Sequence, residues 1–161
     1  MIWNVQGAGN SNFVSALKEA VRLNKPNVLT LVETHMGGEQ ASRIANILGY
    51  NGHERVDAMG FSGGIWVYWK PEIVTINPIL KHRQHITMEI TRVGATPWYF
   101  SAIYASPDPI KRRELWDELK SFASTHNKPW LIAGDFNDTR FPSERNKSCH
   151  ETNRRSALFN N

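Results

Sequence analysis

A chain of 161 residues, 40% of them apolar, fits one domain able to bury a real core. Its 19 lysines and arginines against 15 acids leave a charge of +4, compatible with a polyanionic partner without requiring one. The single cysteine, Cys149, excludes an internal disulfide and fits a reducing intracellular setting, nuclear or cytoplasmic; neither a secretory leader nor an apolar run of membrane-spanning length is evident.

Trp3-Asn4-Val5-Gln6-Gly7 reads as a short strand whose apolar start ends in Asn4. A helix follows, with Phe13, Leu17, Ala20 and Val21 on one stripe, Asn10 or Ser11 as cap, and Lys25-Pro26 as its end. Val28–Val32 is an apolar strand that stops abruptly at Glu33. A second helix runs from about Glu39 to Leu48, its face made by Ala41, Ile44, Ala45, Ile47 and Leu48, with Gly49 as its stop. The middle of the chain is β-rich: Ile65–Trp69, Ile73–Ile76, His85–Ile90 and Trp98–Tyr104. The short joins Lys70-Pro71-Glu72 and Val93-Gly94-Ala95-Thr96 suit antiparallel hairpins. Asp108-Pro109 caps a third helix, whose Leu115, Leu119, Phe122 and Ala123 face inward while Lys111, Arg112 and Arg113 face out. Pro129–Ala133 is a last apolar strand, leading into Gly134-Asp135-Phe136-Asn137. The expected class is one α/β domain in which antiparallel strands dominate.

Chemistry gathers at the strand ends. On an extended chain Asp135 and Asn137, at i and i+2, project to one side, although Gly, Asp and Asn equally favour a turn. Asn4, Glu33 and Tyr104 close three other apolar strands. Such hard oxygen ligands suit Mg²⁺, which takes one or two carboxylates together with phosphate and water. Other groupings carry less. Gly7-x-Gly9 has the look of a dinucleotide loop, but Asn12 stands at the third glycine position and the β-meander breaks the βαβ rhythm. His82 and His85, three apart in a strand-like stretch, should point to opposite faces and share no zinc. His35 is expected on a loop beside Glu33, and the aromatics Trp66, Tyr68, Trp69 and Trp98 in the core.

The ordered set WNVQG, LVETH, the SGG at 62–64, YASP and GDFN resembles the endonuclease/exonuclease/phosphatase superfamily of deoxyribonuclease I-like phosphodiesterases. Within it the set looks most like the endonuclease domain of plant non-LTR (LINE-type) retrotransposons. The resemblance implies a four-layer α/β sandwich of mostly antiparallel sheets flanked by helices. It also implies Mg²⁺- or Mn²⁺-dependent phosphodiester hydrolysis with DNA as substrate. In that role Glu33 binds the cation with Asn4 beside it, and Tyr104 hydrogen-bonds the scissile phosphate. Asp135 orients or deprotonates water, and Asn137 fixes the phosphate and Asp135. The family's later acidic strand and Ser-Asp-His segment have no match after Asn137; His150 has no adjacent Asp. Residues 1–161 are therefore expected to be the N-terminal portion of a single domain, incomplete at the C-terminus and inactive alone. Two rivals follow from the same residues: a catalytically dead relic that keeps metal or phosphate binding, and a phosphatase of the same fold.

Overall fold

The computed structural model describes residues 1–60 and 62–139. In chain order the elements are β1 (Ile2–Asn4), α1 (Phe13–Asn24), β2 (Val28–Val32), α2 (Gly38–Leu48), β3 (Gly52–Val56), β4 (Ile65–Trp69), β5 (Thr75–His82), β6 (His85–Thr91), β7 (Trp98–Tyr104), α3 (Pro109–Thr125) and β8 (Trp130–Asp135). They form two four-stranded sheets, ordered β1-β2-β4-β3 and β5-β6-β7-β8. Four of the six pairings are antiparallel, whereas β1 runs parallel to β2 and β8 parallel to β7.

The two-residue alternation of each strand sorts its side chains into layers. Leu29, Leu31, Trp66 and Tyr68 face α1 and α2, where they pack with Phe13, Leu17 and Ile44. The intervening positions Val32, Ile65 and Val67 meet Ile86, Met88, Phe100 and Ala102 of the other sheet. Ile103, on the far face of that second sheet, packs under Leu115 and Leu119 of α3. The result is helix, sheet, sheet, helix: a four-layer α/β sandwich of mostly antiparallel sheets, as the resemblance implies.

Local signals act as expected in several places. Asp108 Oδ1 accepts the Ile110 amide at 2.9 Å, with Pro109 beginning the helix. Lys25 and Gly49 close α1 and α2 in left-handed conformations. Three readings need correction, and one strand is added. Lys70-Pro71-Glu72 is not a hairpin: β4 already has β2 and β3 on its two edges, so the turn carries the chain across to the other sheet, and the strand begins at Thr75 rather than Ile73. Gly52–Val56 is a strand although His53, Glu54 and Arg55 make it polar; it forms an edge of the first sheet. Ile47 and Ala123 are exposed, since the buried stripes run through Ala41, Ile44 and Ala45 and through Leu115, Leu119 and Phe122. Arg112 is buried, because it sits three residues before Leu115 on that same face of α3.

The join of β7 to β8 depends on one glycine. Gly134 has φ +148°, a region L-residues avoid, and a Cβ there would lie 2.0 Å from the Ile103 carbonyl oxygen. The three nearest atoms are all Ile103 backbone, which cannot move aside as a side chain would. Gly134→Ala should therefore destabilise the chain by about 2–4 kcal/mol, read as a lowered urea midpoint at unchanged slope.

Candidate active site

The parallel pairs β1/β2 and β7/β8 end on one side of the molecule, and their last residues meet across the seam between the sheets. Asn4, closing β1, donates from Nδ2 to Asp135 Oδ2 at 2.7 Å. Tyr104, closing β7, sets its phenol beside the Glu33 carboxylate just past β2, close enough for that carboxylate to raise the phenol's pKa. Tyr104 and Asp135 are partners in the β7/β8 register. Four of the five candidates, Asn4, Glu33, Tyr104 and Asp135, are thus brought together at this edge, and Asn137 follows Asp135 by two residues. His35 belongs with them, its Nε2 lying 3.4 Å from Glu33 Oε1.

Asp135 is held from two directions. Asn4 takes Oδ2, and the Asn137 amide donates to Oδ1 at 2.8 Å. That second bond is an Asx turn, with Asn137 at φ +47°, so the chain bends after β8 instead of running on extended. The Asn137 side chain consequently does not project beside that of Asp135; its Nδ2 donates to the Ala105 carbonyl at 2.8 Å and ties β8 to the end of β7. Behind it, Arg112 donates to the Ser106 carbonyl at 2.8 Å and to Asp138 Oδ2 at 2.7 Å, an almost fully buried ion pair.

The floor of the cleft explains the paired glycines. A Cβ on Gly64 would fall 2.1 Å from Thr34 Oγ1, while Thr34 and His35 donate their amides to the Gly64 and Gly63 carbonyls. Only a bare backbone can lie this close under the Glu33 segment. Left-handed conformations at non-glycine residues gather here too: Gln6, Glu33, His35 and Asn137 have φ of 49°, 59°, 56° and 47°. At Gln6, Glu33 and His35 the cost is on the order of 1 kcal/mol, while asparagine adopts this region readily; such conformations cluster at functional sites.

Electrostatically the cleft is acidic at its centre. Among the described residues no lysine or arginine pairs with Glu33 or Asp135; the arginine and lysine ion pairs all go elsewhere. Burial pushes the Tyr104 phenol up to about 12, with the charges of Glu33 and Asp135 and the hydrogen bond to Glu33 acting in the same direction. Oxygen ligands and uncompensated carboxylates fit a hard divalent cation. Beside this centre a groove of about 210 Å³ is bordered by Gly63, Gly64, Tyr104, Arg83, Gln84 and Lys111.

Sequence reasoning did not single out Gln84. Its carbonyl accepts the Tyr104 amide at 2.8 Å, its Oε1 accepts the Ser106 amide at 2.6 Å, and its Nε2 donates to the Lys111 carbonyl at 2.8 Å. No local pattern marks a lone glutamine in a hairpin turn. The expectation for His82 and His85 also fails. They are cross-strand partners flanking the Arg83-Gln84 turn, and partners in an antiparallel hairpin share a face. Cys149 and His150 lie outside the described residues.

A two-sheet sandwich with acids and amides at its strand ends defines a class, and the family model for the endonuclease/exonuclease/phosphatase family matches residues 1–158. The chain belongs to that family. It is similar to a probable RNA-directed DNA polymerase from transposon X-element of Drosophila melanogaster, 23% identical over 141 residues, which are 85% of this chain and 15% of that protein. Among solved structures it is similar to the endonuclease domain of TRAS1, a telomere-specific non-LTR retrotransposon (TM-score 0.66, 15% identity, 99% of this chain and 69% of that one). It is also similar to an AP endonuclease of Leishmania major (TM-score 0.65, 17% identity, 92% of this chain and 57% of that one). The chain thus spans under a sixth of the curated relative and little more than half of the Leishmania enzyme.

Neutralising either carboxylate should release Tyr104. In Glu33→Gln and Asp135→Asn the phenol is expected to ionise at lower pH than in the parent, toward the ordinary value near 10. Alkaline titration followed by NMR of ring-labelled tyrosine measures this. An unmoved Tyr104 titration in both variants would contradict the cleft described here.

Proposed function

We propose that this chain is the metal-side portion of a phosphodiesterase domain that nicks DNA, of the retrotransposon endonuclease kind, using Mg²⁺ or Mn²⁺. The observation that carries the reading is the hydrogen bond across the sheet seam from Asn4 to Asp135, with Tyr104 and Glu33 beside each other one strand inward. Two carboxylates, a phenol and an amide gathered in this way support phosphodiester hydrolysis, which calls for such groups around one phosphate. Glu33 would hold the cation, with Asn4 Oδ1 beside it. When bound, the cation supplies charge neutralisation on the phosphoryl oxygens. Asp135, fixed by Asn4 and by the Asn137 amide, orients the attacking water and takes its proton. Tyr104 keeps its phenolic proton at neutral pH, as any tyrosine does and its raised value reinforces, and that one O–H would turn from Glu33 to the scissile phosphate. Asn137 contributes by fixing Asp135, with phosphate contact as a further role. Arg83 and Lys111, along the adjoining groove, offer positive charge to the DNA backbone.

The same reading makes residues 1–161 one incomplete domain. Among the described residues β1 and β8 are each paired on one side only. Between these edges opens an apolar groove of about 300 Å³ whose lining includes Ile2, Val28, Trp98, Phe100, Leu131 and Ala133, with Leu131 half exposed. Further chain laid along this edge would cover it.

Plasmid nicking tests the proposal. Residues 1–161 alone should nick negligibly in Mg²⁺, while a longer chain carrying the additional segment should nick supercoiled DNA. In that longer chain Asp135→Ala is expected to lower the rate by about 10²–10⁴-fold. Glu33→Gln should abolish the Mn²⁺ binding signal. Nicking by the longer chain that is indifferent to Asp135→Ala would reject the assigned chemistry. Robust, Asp135-dependent nicking by residues 1–161 would reject only the incomplete-domain part.

A further inference from the structure

Helix α3 crosses the outer face of the second sheet, on the side away from the inter-sheet core, and there it meets two histidines. His85 is fully buried, and its Nε2 lies 2.7 Å from Glu118 Oε2. His82 presents Nδ1 at 3.6 Å from the same carboxylate oxygen. The ligating atoms of His82, His85 and Glu118 all lie within 4.8 Å of one another, and the two imidazole rings are 5.7 Å apart. The side chains of His82 and Glu118 are 23% and 37% exposed, so the group is closed behind by His85 and open in front to solvent.

We propose that His82, His85 and Glu118 form a zinc-type transition-metal site that clasps the β5–β6 hairpin to helix α3. Two imidazole nitrogens and one carboxylate are a known zinc ligand set, with a fourth position left for water. The nitrogen donors select against Mg²⁺, so this site and the oxygen-ligand cleft at Glu33 call for different ions. Ligand atoms around a tetrahedral zinc sit roughly 3.3–3.5 Å apart. The present spread needs only small side-chain rotations, and the two residues that must move most, His82 and Glu118, are the exposed ones.

The surroundings of His85 are those of a supported ligand. Its Nδ1 is 3.2 Å from Thr87 Oγ1, which is 2.6 Å from Ser101 Oγ, which in turn accepts Trp130 Nε1–H at 2.9 Å. A second ring nitrogen bound to a fixed hydroxyl orients the imidazole and frees Nε2 to coordinate. The clasp would also serve the cleft. The hairpin turn between the two histidines carries Gln84, which holds the Tyr104 and Ser106 amides from behind. Fixing that turn against α3 therefore fixes one wall of the groove, without any contact with the substrate.

Zinc titration of the metal-stripped 161-residue chain tests this, followed by calorimetry and by the visible spectrum of Co²⁺ in its place. One Zn²⁺ per chain is expected, with tetrahedral Co²⁺ bands and a raised thermal midpoint. His82→Ala and Glu118→Gln, both at partly exposed positions, should each weaken binding by more than about tenfold and abolish the bands while leaving the far-UV circular dichroism unchanged. Glu33→Gln should bind Zn²⁺ as the parent does, so the outcome is independent of the proposed nuclease chemistry. No saturable Zn²⁺ binding by the parent, or parent-like binding in either His82→Ala or Glu118→Gln, would overturn the site and leave a hydrogen-bonded cluster.

Discussion

One hydrogen bond across the seam between the sheets, Asn4 to Asp135, and the neighbouring approach of Tyr104 to Glu33 constrain the rest of the molecule. Asn4 and Asp135 have short side chains, so they meet only if the edges β1 and β8 approach closely and end level with each other. Glu33 and Tyr104 impose the same condition one strand inward. Parallel pairing within β1/β2 and β7/β8 satisfies both, because four strand ends then point the same way. The apolar layer of Val32, Ile65 and Val67 against Ile86, Met88 and Phe100 sets the spacing at which they do so. The core thus works as a gauge for the cleft, and this is why chemistry and packing cannot be varied separately here.

Around that seam the loops are tied by polar contacts more than by apolar ones. Arg112 reaches from α3 to the Ser106 and Pro107 carbonyls and to Asp138, and so joins the segment after β7 to the segment after β8. Phe136, between Asp135 and Asn137, stacks on Trp116 of α3 at 5.8 Å with the planes nearly parallel. Helix α3 is therefore more than a cover for the sheet. It holds the turn that carries Asp135 from two sides, with an ion pair on one and a ring stack on the other. Removing either half of the Arg112–Asp138 pair would strand a buried charge, commonly a loss of 3–5 kcal/mol.

What was legible in the sequence follows from what local rules can see. Apolar runs such as Val28–Val32 and Trp98–Tyr104 announced buried strands, and the abrupt polar residue after each one marked a cleft edge. Gly52–Val56 stayed hidden because an edge strand has no need of apolar alternation. Lys70-Pro71-Glu72 looked like a hairpin because adjacency in sequence says nothing about whether a strand's edges are already occupied. The charge of Arg112 points to solvent, although its spacing from Leu115 and Leu119 puts it on the buried stripe. His82 and His85 were assigned opposite faces by strand periodicity, which stops applying once a turn lies between them. Gln84 binds backbone groups from a position that no local pattern marks, whereas the turn at Asn137 is one of the two readings that Gly134-Asp135-Phe136-Asn137 leaves open.

The left-handed backbone at Gln6, Glu33, His35 and Asn137 sets the folding optimum of this chain against its chemical one. Glycine at any of these four positions would relieve a conformation that the native residue adopts at a cost, yet it would also erase a side chain or loosen a loop at the cleft. On the proposed reading, a selection for thermal tolerance alone would give up these side chains wherever the relieved backbone outweighs glycine's greater freedom in the unfolded chain. Persistence of all four non-glycine residues in a lineage would accordingly record selection for the cleft itself, and their replacement by glycine would date the moment that selection lapsed.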